Sequence, residues 1–89
     1  MTIEIKGEGG ESILFDGASV AKFRHNGMEE VARNPASTYR EVRVKAKKAK
    51  RDQEQRYDVL LACASIFSLT ITESEKPKLD ELVQLLESS

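Results

Sequence analysis

The sequence predicts a single α+β domain spanning residues 1–89: an N-terminal β-hairpin or three-stranded antiparallel sheet, one long helix, continuous or broken, and a C-terminal amphipathic helix. Three observations predict it. All five glycines lie at or before Gly27, so tight turns gather in the first third of the chain. From Ala36 to Lys76 there is neither glycine nor proline. Leu79, Leu82, Val83 and Leu86 recur at the i, i+3, i+4, i+7 spacing of one helix face.

The β unit comes first. Ile3 and Ile5 alternate with polar residues, Gly7-Glu8-Gly9-Gly10 breaks the pattern, and Ser12-Ile13-Leu14-Phe15 leads into Asp16-Gly17, a hairpin dipeptide when apolar residues flank it. Residues 2–6 and 11–15 are thus predicted strands. Residues 18–24 read as a third strand, with Val20 opposite Ile13 across a two-residue turn. The competing reading is a short helix capped by Asp16 and closed by a left-handed Asn26-Gly27; the turn signal favours the strand.

The long helix has two candidate starts, Asn34-Pro35 and a capping box of Thr38 with Glu41. Residues 45–56 are nearly all strong helix formers. Tyr39, Val42, Ala46, Ala49, Gln53, Arg56, Leu60, Cys63 and Phe67 fall at alternating steps of three and four, which is one helical seam. A seam of this kind must be covered, so Tyr39, Val42, Ala49, Leu60 and Phe67 are the candidate self-association residues. Residues 68–72 alternate and are β-branched, suiting a strand that completes the N-terminal sheet or an extended connection. Residues 76–87 form the last helix, starting near Ser74 to Pro77.

A second architecture competes. Val42 and Val44 alternate, and residues 57–72 are apolar and β-branched enough to hold two strands. The words Phe15-Asp16-Gly17 and Phe67-Ser68-Leu69-Thr70-Ile71-Thr72, the latter followed by a helix, resemble those of a bacterial pleckstrin-homology-like domain. That resemblance implies a small antiparallel sheet capped by one C-terminal helix, and a binding module as its role.

Composition narrows the chemistry. At 89 residues, with 39% hydrophobic and 33% charged side chains, the chain holds a thin core inside a charged shell, and a core of this size favours oligomers. Cys63, the only cysteine, sits in an apolar run, and His25, the only histidine, lies far from it in sequence, so neither a zinc site nor a Cys/His nucleophile pair is expected. Gly7-Glu8-Gly9-Gly10 lacks the Lys-Ser/Thr end of a phosphate loop. No catalytic residue, metal or cofactor is therefore assigned. The absence of a signal-like N-terminus or a membrane-length apolar run leads us to expect a cytoplasmic chain.

Charge is the feature that invites a functional reading. Residues 40–56 carry eight basic and three acidic groups, against four and six before them and two and six after. Arg40, Arg43, Lys45, Lys47, Lys48, Lys50 and Arg51 are the candidate polyanion-binding residues. The expected role is a non-catalytic protein–protein interaction protein that self-associates and has a protein partner, similar in size and composition to phage or mobile-element accessory factors and inhibitors of host systems. Nucleic-acid or ribonucleoprotein binding through the basic segment is the rival, and the sequence pI near 5.8 weighs against it.

Overall fold

The computed structural model describes residues 2–48 and 54–88. Among the described residues seven strands form two antiparallel sheets, and a single α-helix follows the last strand. The first sheet, in order β1-β2-β3-β4, holds β1 (Ile3–Lys6), β2 (Ser12–Phe15), β3 (Ser19–Arg24) and β4 (Glu29–Pro35). The second, in order β5-β6-β7, holds β5 (Glu41–Lys47), β6 (Arg56–Ala62) and β7 (Ile66–Thr72). Helix α1 spans Lys76–Glu87, with Pro77 in its first turn, as the leucine periodicity predicts. The class is α+β, and its form is the second architecture: small antiparallel sheets with one C-terminal helix.

The N-terminal hairpin forms as Asp16-Gly17 predicts, but its register is shifted. Phe15 pairs with Val20 and Ile13 with Lys22, so the loop is longer than two residues. Asp16 explains the extra length. Its carboxylate accepts the backbone N–H groups of Ala18 (2.9 Å) and Ser19 (2.8 Å), which holds the chain in a wider turn. Residues 19–24 are strand, and Ala18 belongs to the turn. His25, Asn26 and Gly27 all take positive φ (55°, 56° and 89°), and they close the β3–β4 hairpin instead of capping a helix.

The long helix is not formed. Residues 41–47 and 56–62 are strands, and residues 68–72 belong to β7 of the second sheet, not to the N-terminal one. The physical reason is a period of two. Val44, Val59 and Leu69 share one cross-strand row, and Val42, Leu61 and Phe67 the next. Helix preference among Lys, Ala, Gln and Arg amounts to about 0 to 0.7 kcal/mol per residue, whereas full burial of one large apolar side chain contributes about 1.5–3 kcal/mol. Rows of such residues on one sheet face therefore win. Nor do the helix starts survive: Pro35 ends β4, a 3-10 turn occupies Ala36–Thr38, and the Thr38 hydroxyl donates to the Pro35 carbonyl (2.7 Å).

One core joins all parts. Ile3, Ile5, Ile13, Phe15 and Val20 from the first sheet meet Val59, Leu61, Phe67, Leu69 and Ile71 from the second, and Leu79, Leu82 and Leu86 of α1 pack into the same cluster. Buried Asn34 ties the sheets at one end, its Oδ1 accepting the Ser65 N–H at 2.7 Å in the β6–β7 turn.

Candidate interaction trough

The core-facing rows determine which side chains remain outside. Because Val59, Leu61, Phe67, Leu69 and Ile71 point inward, strand alternation turns Asp58, Leu60, Ser68 and Thr70 outward, together with Arg43, Lys45 and Lys47 of β5. A trough of about 740 Å³ runs over this outer face. Half-buried Leu60, on the central strand, lies on its floor.

Its two walls carry opposite charge. On one side stand Arg43 and Lys45 of the edge strand β5. On the other stand Glu8, Gly9 and Glu11 of the β1–β2 turn. That turn is fastened to β7: the Glu8 N–H donates to the Thr70 carbonyl at 2.9 Å, and Lys22 Nζ donates to the Ser68 carbonyl at 2.8 Å. Gly7 makes the approach fit, since a Cβ there would stand 3.1 Å from the Thr70 carbonyl oxygen and 3.2 Å from Leu69 Cδ1.

The walls differ in how far their charge is already used. Glu8 faces Arg56 (3.3 Å) and Glu11 faces Lys22 (3.4 Å). Among the described residues Arg43 pairs with its strand neighbour Glu41 at 3.2 Å, a pair both of whose side chains are largely exposed and which is therefore weak. Lys45 has no ion pair among the described residues. Asp58 is shared by Lys47 (3.7 Å) and the Thr70 hydroxyl (2.8 Å), which helps fix the outer face. Val44 belongs to the core-facing row, yet it is 39% exposed because β5 is an edge strand.

The predicted residues are thus redistributed. Arg43, Lys45 and Lys47 lie on one face of one strand, aligned more closely than a helix would allow; Arg40 precedes the strand and Lys48 follows it, both exposed. Lys50, Arg51 and Ala49 lie outside the described residues. The helical seam does not exist as such: Phe67 is only 1% exposed, and Tyr39 and Val42 pack against the core, so these three serve the chain's own interior. Of the proposed contact residues that are described, Leu60 looks outward. Sequence reasoning missed the acidic wall, because only the fold brings Glu8 and Glu11 to β7.

Outside the trough, the surroundings shift Asp16 and Cys63 in opposite directions. Asp16 is held down at about 2 by the backbone N–H groups of Ala18 and Ser19, with the Ser19 hydroxyl and Arg33 adding to the effect. Burial pushes the Cys63 thiol up, and a hydrogen bond with Thr38 offsets part of that rise. Among the described residues no group of three or more His, Cys, Asp or Glu gathers to hold a metal ion, and no helix is long and apolar enough to cross a membrane. Comparison with protein-family models, with curated proteins and with solved structures finds no match to this chain.

Proposed function

We propose that this chain is a non-catalytic, cytoplasmic protein–protein interaction module that binds through the trough on the outer face of β5–β7. The observation that carries the reading is the trough itself, an apolar floor between two charged walls on a sheet whose other face already builds the core. Apolar floors with polar rims suit docking: the centre excludes water while the rim sets orientation. A photo-reactive amino acid at Ser68, inside the trough, tests it against the same group at Glu30, on the first sheet. Protein adducts that form from position 68 and vanish in Leu60→Asp support the reading, and equal labelling from both positions refutes it.

A second reading has one observation in its favour. Strand β5 presents Arg43, Lys45 and Lys47 on a single face, every second residue, as a contact line for a polyanion would require. A salt titration with random single-stranded and duplex DNA separates the two. Nucleic-acid binding demands a steep fall in affinity with salt and its loss in Lys45→Glu/Lys47→Glu.

A further inference from the structure

Four strands stand at the edges of the two sheets, β1 and β4 in the first and β5 and β7 in the second. Three of these edges are blocked or bent. The Lys6 N–H of β1 donates to Glu75 Oε1 at 2.8 Å. On β7 the carbonyls of Thr70 and Ser68 accept from the Glu8 N–H and from Lys22 Nζ. Strand β4 is bent by a bulge at Val31, which falls between the pairs Lys22–Ala32 and Phe23–Glu30, and it stops at Pro35.

β5 is a straight, open edge. It pairs with β6 over all seven of its residues without a register shift, and it contains neither glycine nor proline. Among the described residues no backbone hydrogen bond joins it to any segment other than β6. Alternate N–H and C=O groups along it therefore point away from the sheet, a ladder ready for one more strand. Val44 shows the same opening: it belongs to the core-facing row, and its 39% exposure is area that a neighbouring strand would cover.

The charges on this edge select what can pair with it. Arg43 and Lys45 stand two residues apart on the outer face, and Arg40 and Lys48 are exposed at the two ends. Lys45 has no ion pair among the described residues, and Arg43 has the weak, exposed one with Glu41. The acidic groups of the trough, by contrast, are engaged within the chain: Glu8 with Arg56, Glu11 with Lys22 and Asp58 with Lys47. The charge left for a partner is thus positive and lies along β5. A second copy of β5 set against the first would bring Arg43 and Lys45 among like charges, which is destabilising across strands. An acidic strand meets the opposite condition.

We propose that β5 takes an extended segment of a partner protein as an additional strand, a segment in which acidic side chains alternate with apolar ones. Its acidic residues lie opposite Arg43 and Lys45 along the trough's basic wall, and the apolar residues between them continue the row of Val44. Main-chain hydrogen bonds supply the affinity, and the alternation supplies the selection. The proposal rests on the trough face being the binding surface and names the chemistry of what binds at its basic wall.

Nuclear magnetic resonance of the isotopically labelled whole chain tests it, with a synthetic peptide as long as β5 that alternates glutamate and valine. The expected result is a set of backbone Overhauser effects between the peptide and residues 41–47, with slower exchange of alternate β5 amides. Methylating the peptide nitrogens that face β5 should abolish binding. A peptide of the same composition with its glutamates and valines in separate blocks should bind more weakly, on the order of tenfold. Arg43→Glu/Lys45→Glu should weaken the alternating peptide by a similar factor and admit a lysine–valine peptide that the wild type does not bind. Both positions are exposed, so circular dichroism should not change. No peptide contact to β5, equal binding of the blocked peptide, equally strong binding of random single-stranded DNA at β5, or pairing of β5 with β5 of a second copy overturns the proposal. If the peptide leaves β5 untouched while position 68 still captures proteins in a Leu60-dependent way, strand addition falls and the trough's role as a binding surface stands.

Discussion

Leu60 and Leu61 are neighbours in sequence and opposites in the fold, and truncating each in turn distinguishes the strand from a helix. Leu61 is 0% exposed, on the core-facing row with Val42 and Phe67. Leu61→Ala removes three buried carbons, roughly 2.4 kcal/mol at about 0.8 each. The cavity left behind brings the loss to about 2.7–5.0 kcal/mol, the range of comparable buried leucines. A domain of this length has a total stability of roughly 4–13 kcal/mol, so Leu61→Ala should be severely weakened. Leu60→Ala removes the same atoms from the half-buried floor of the trough and should cost about 1 kcal/mol. Urea denaturation followed by circular dichroism reads both: with a slope of about 1–3 kcal/mol per molar, the Leu61→Ala midpoint falls by roughly 2 M and that of Leu60→Ala by well under 1 M. On the helical seam the ranking would be reversed, with Leu60 covered and Leu61 turned aside. Equal losses, or a larger loss for Leu60→Ala, would refute the assigned alternation.

Three further outcomes are expected. Asn34→Ala leaves the Ser65 N–H without its acceptor and should lower stability by about 1–3 kcal/mol in thermal or urea melts, whereas an unchanged melt would remove the proposed tie between β4 and the β6–β7 turn. Asp16 is ionised in the folded chain down to about 2, below its ordinary value of 3.8, so its contribution is full above that ordinary value and is lost as pH falls through the lower one; Asp16→Ala should therefore lower the melting temperature at neutral pH and flatten the acid side of the stability profile between those two values. Tyr39 is raised above its ordinary value by burial and then by the Glu87 carboxylate, and Tyr57 by the hydrogen bond to Glu73 and then by burial; ultraviolet titration of the folded chain should show neither tyrosine ionising at the usual midpoint of 10.0, the associated stability being present below that value and lost as pH climbs beyond it.

How much of this was legible in the sequence follows from the range of the forces involved. Local signals read correctly: Asp16-Gly17 marks a hairpin, and the leucines of 79–86 mark a helix over residues 76–87. Only the second architecture places strands at β5 and β6; the helical reading fails there because the local signal conflicts with the partners. Lys45, Ala46 and Lys47 favour helix in isolation, but Val42, Val44 and Ala46 are placed for a sheet face, and the decision lies with Leu61 and Phe67, residues distant in sequence. β4 carried no strand signal at all, since Glu29-Glu30-Val31-Ala32-Arg33-Asn34-Pro35 neither alternates nor is apolar. Its strand character comes from pairing with β3, including a register shift between Lys22 and Phe23. The basic wall of the trough was visible as a charge run. The acidic wall and the Leu60 floor become one surface only after the β1–β2 turn docks on β7.

Both the fold and the trough require that Val44 stand opposite Val59. Proton NMR of the isotopically labelled chain measures this through nuclear Overhauser effects between the backbones of residues 41–47 and 56–62. Cross-strand effects following the pairs Arg43 with Leu60, Val44 with Val59 and Lys45 with Asp58 are the expected result. Sequential amide–amide effects with i, i+3 contacts through residues 41–47, and none across to β6, would contradict it.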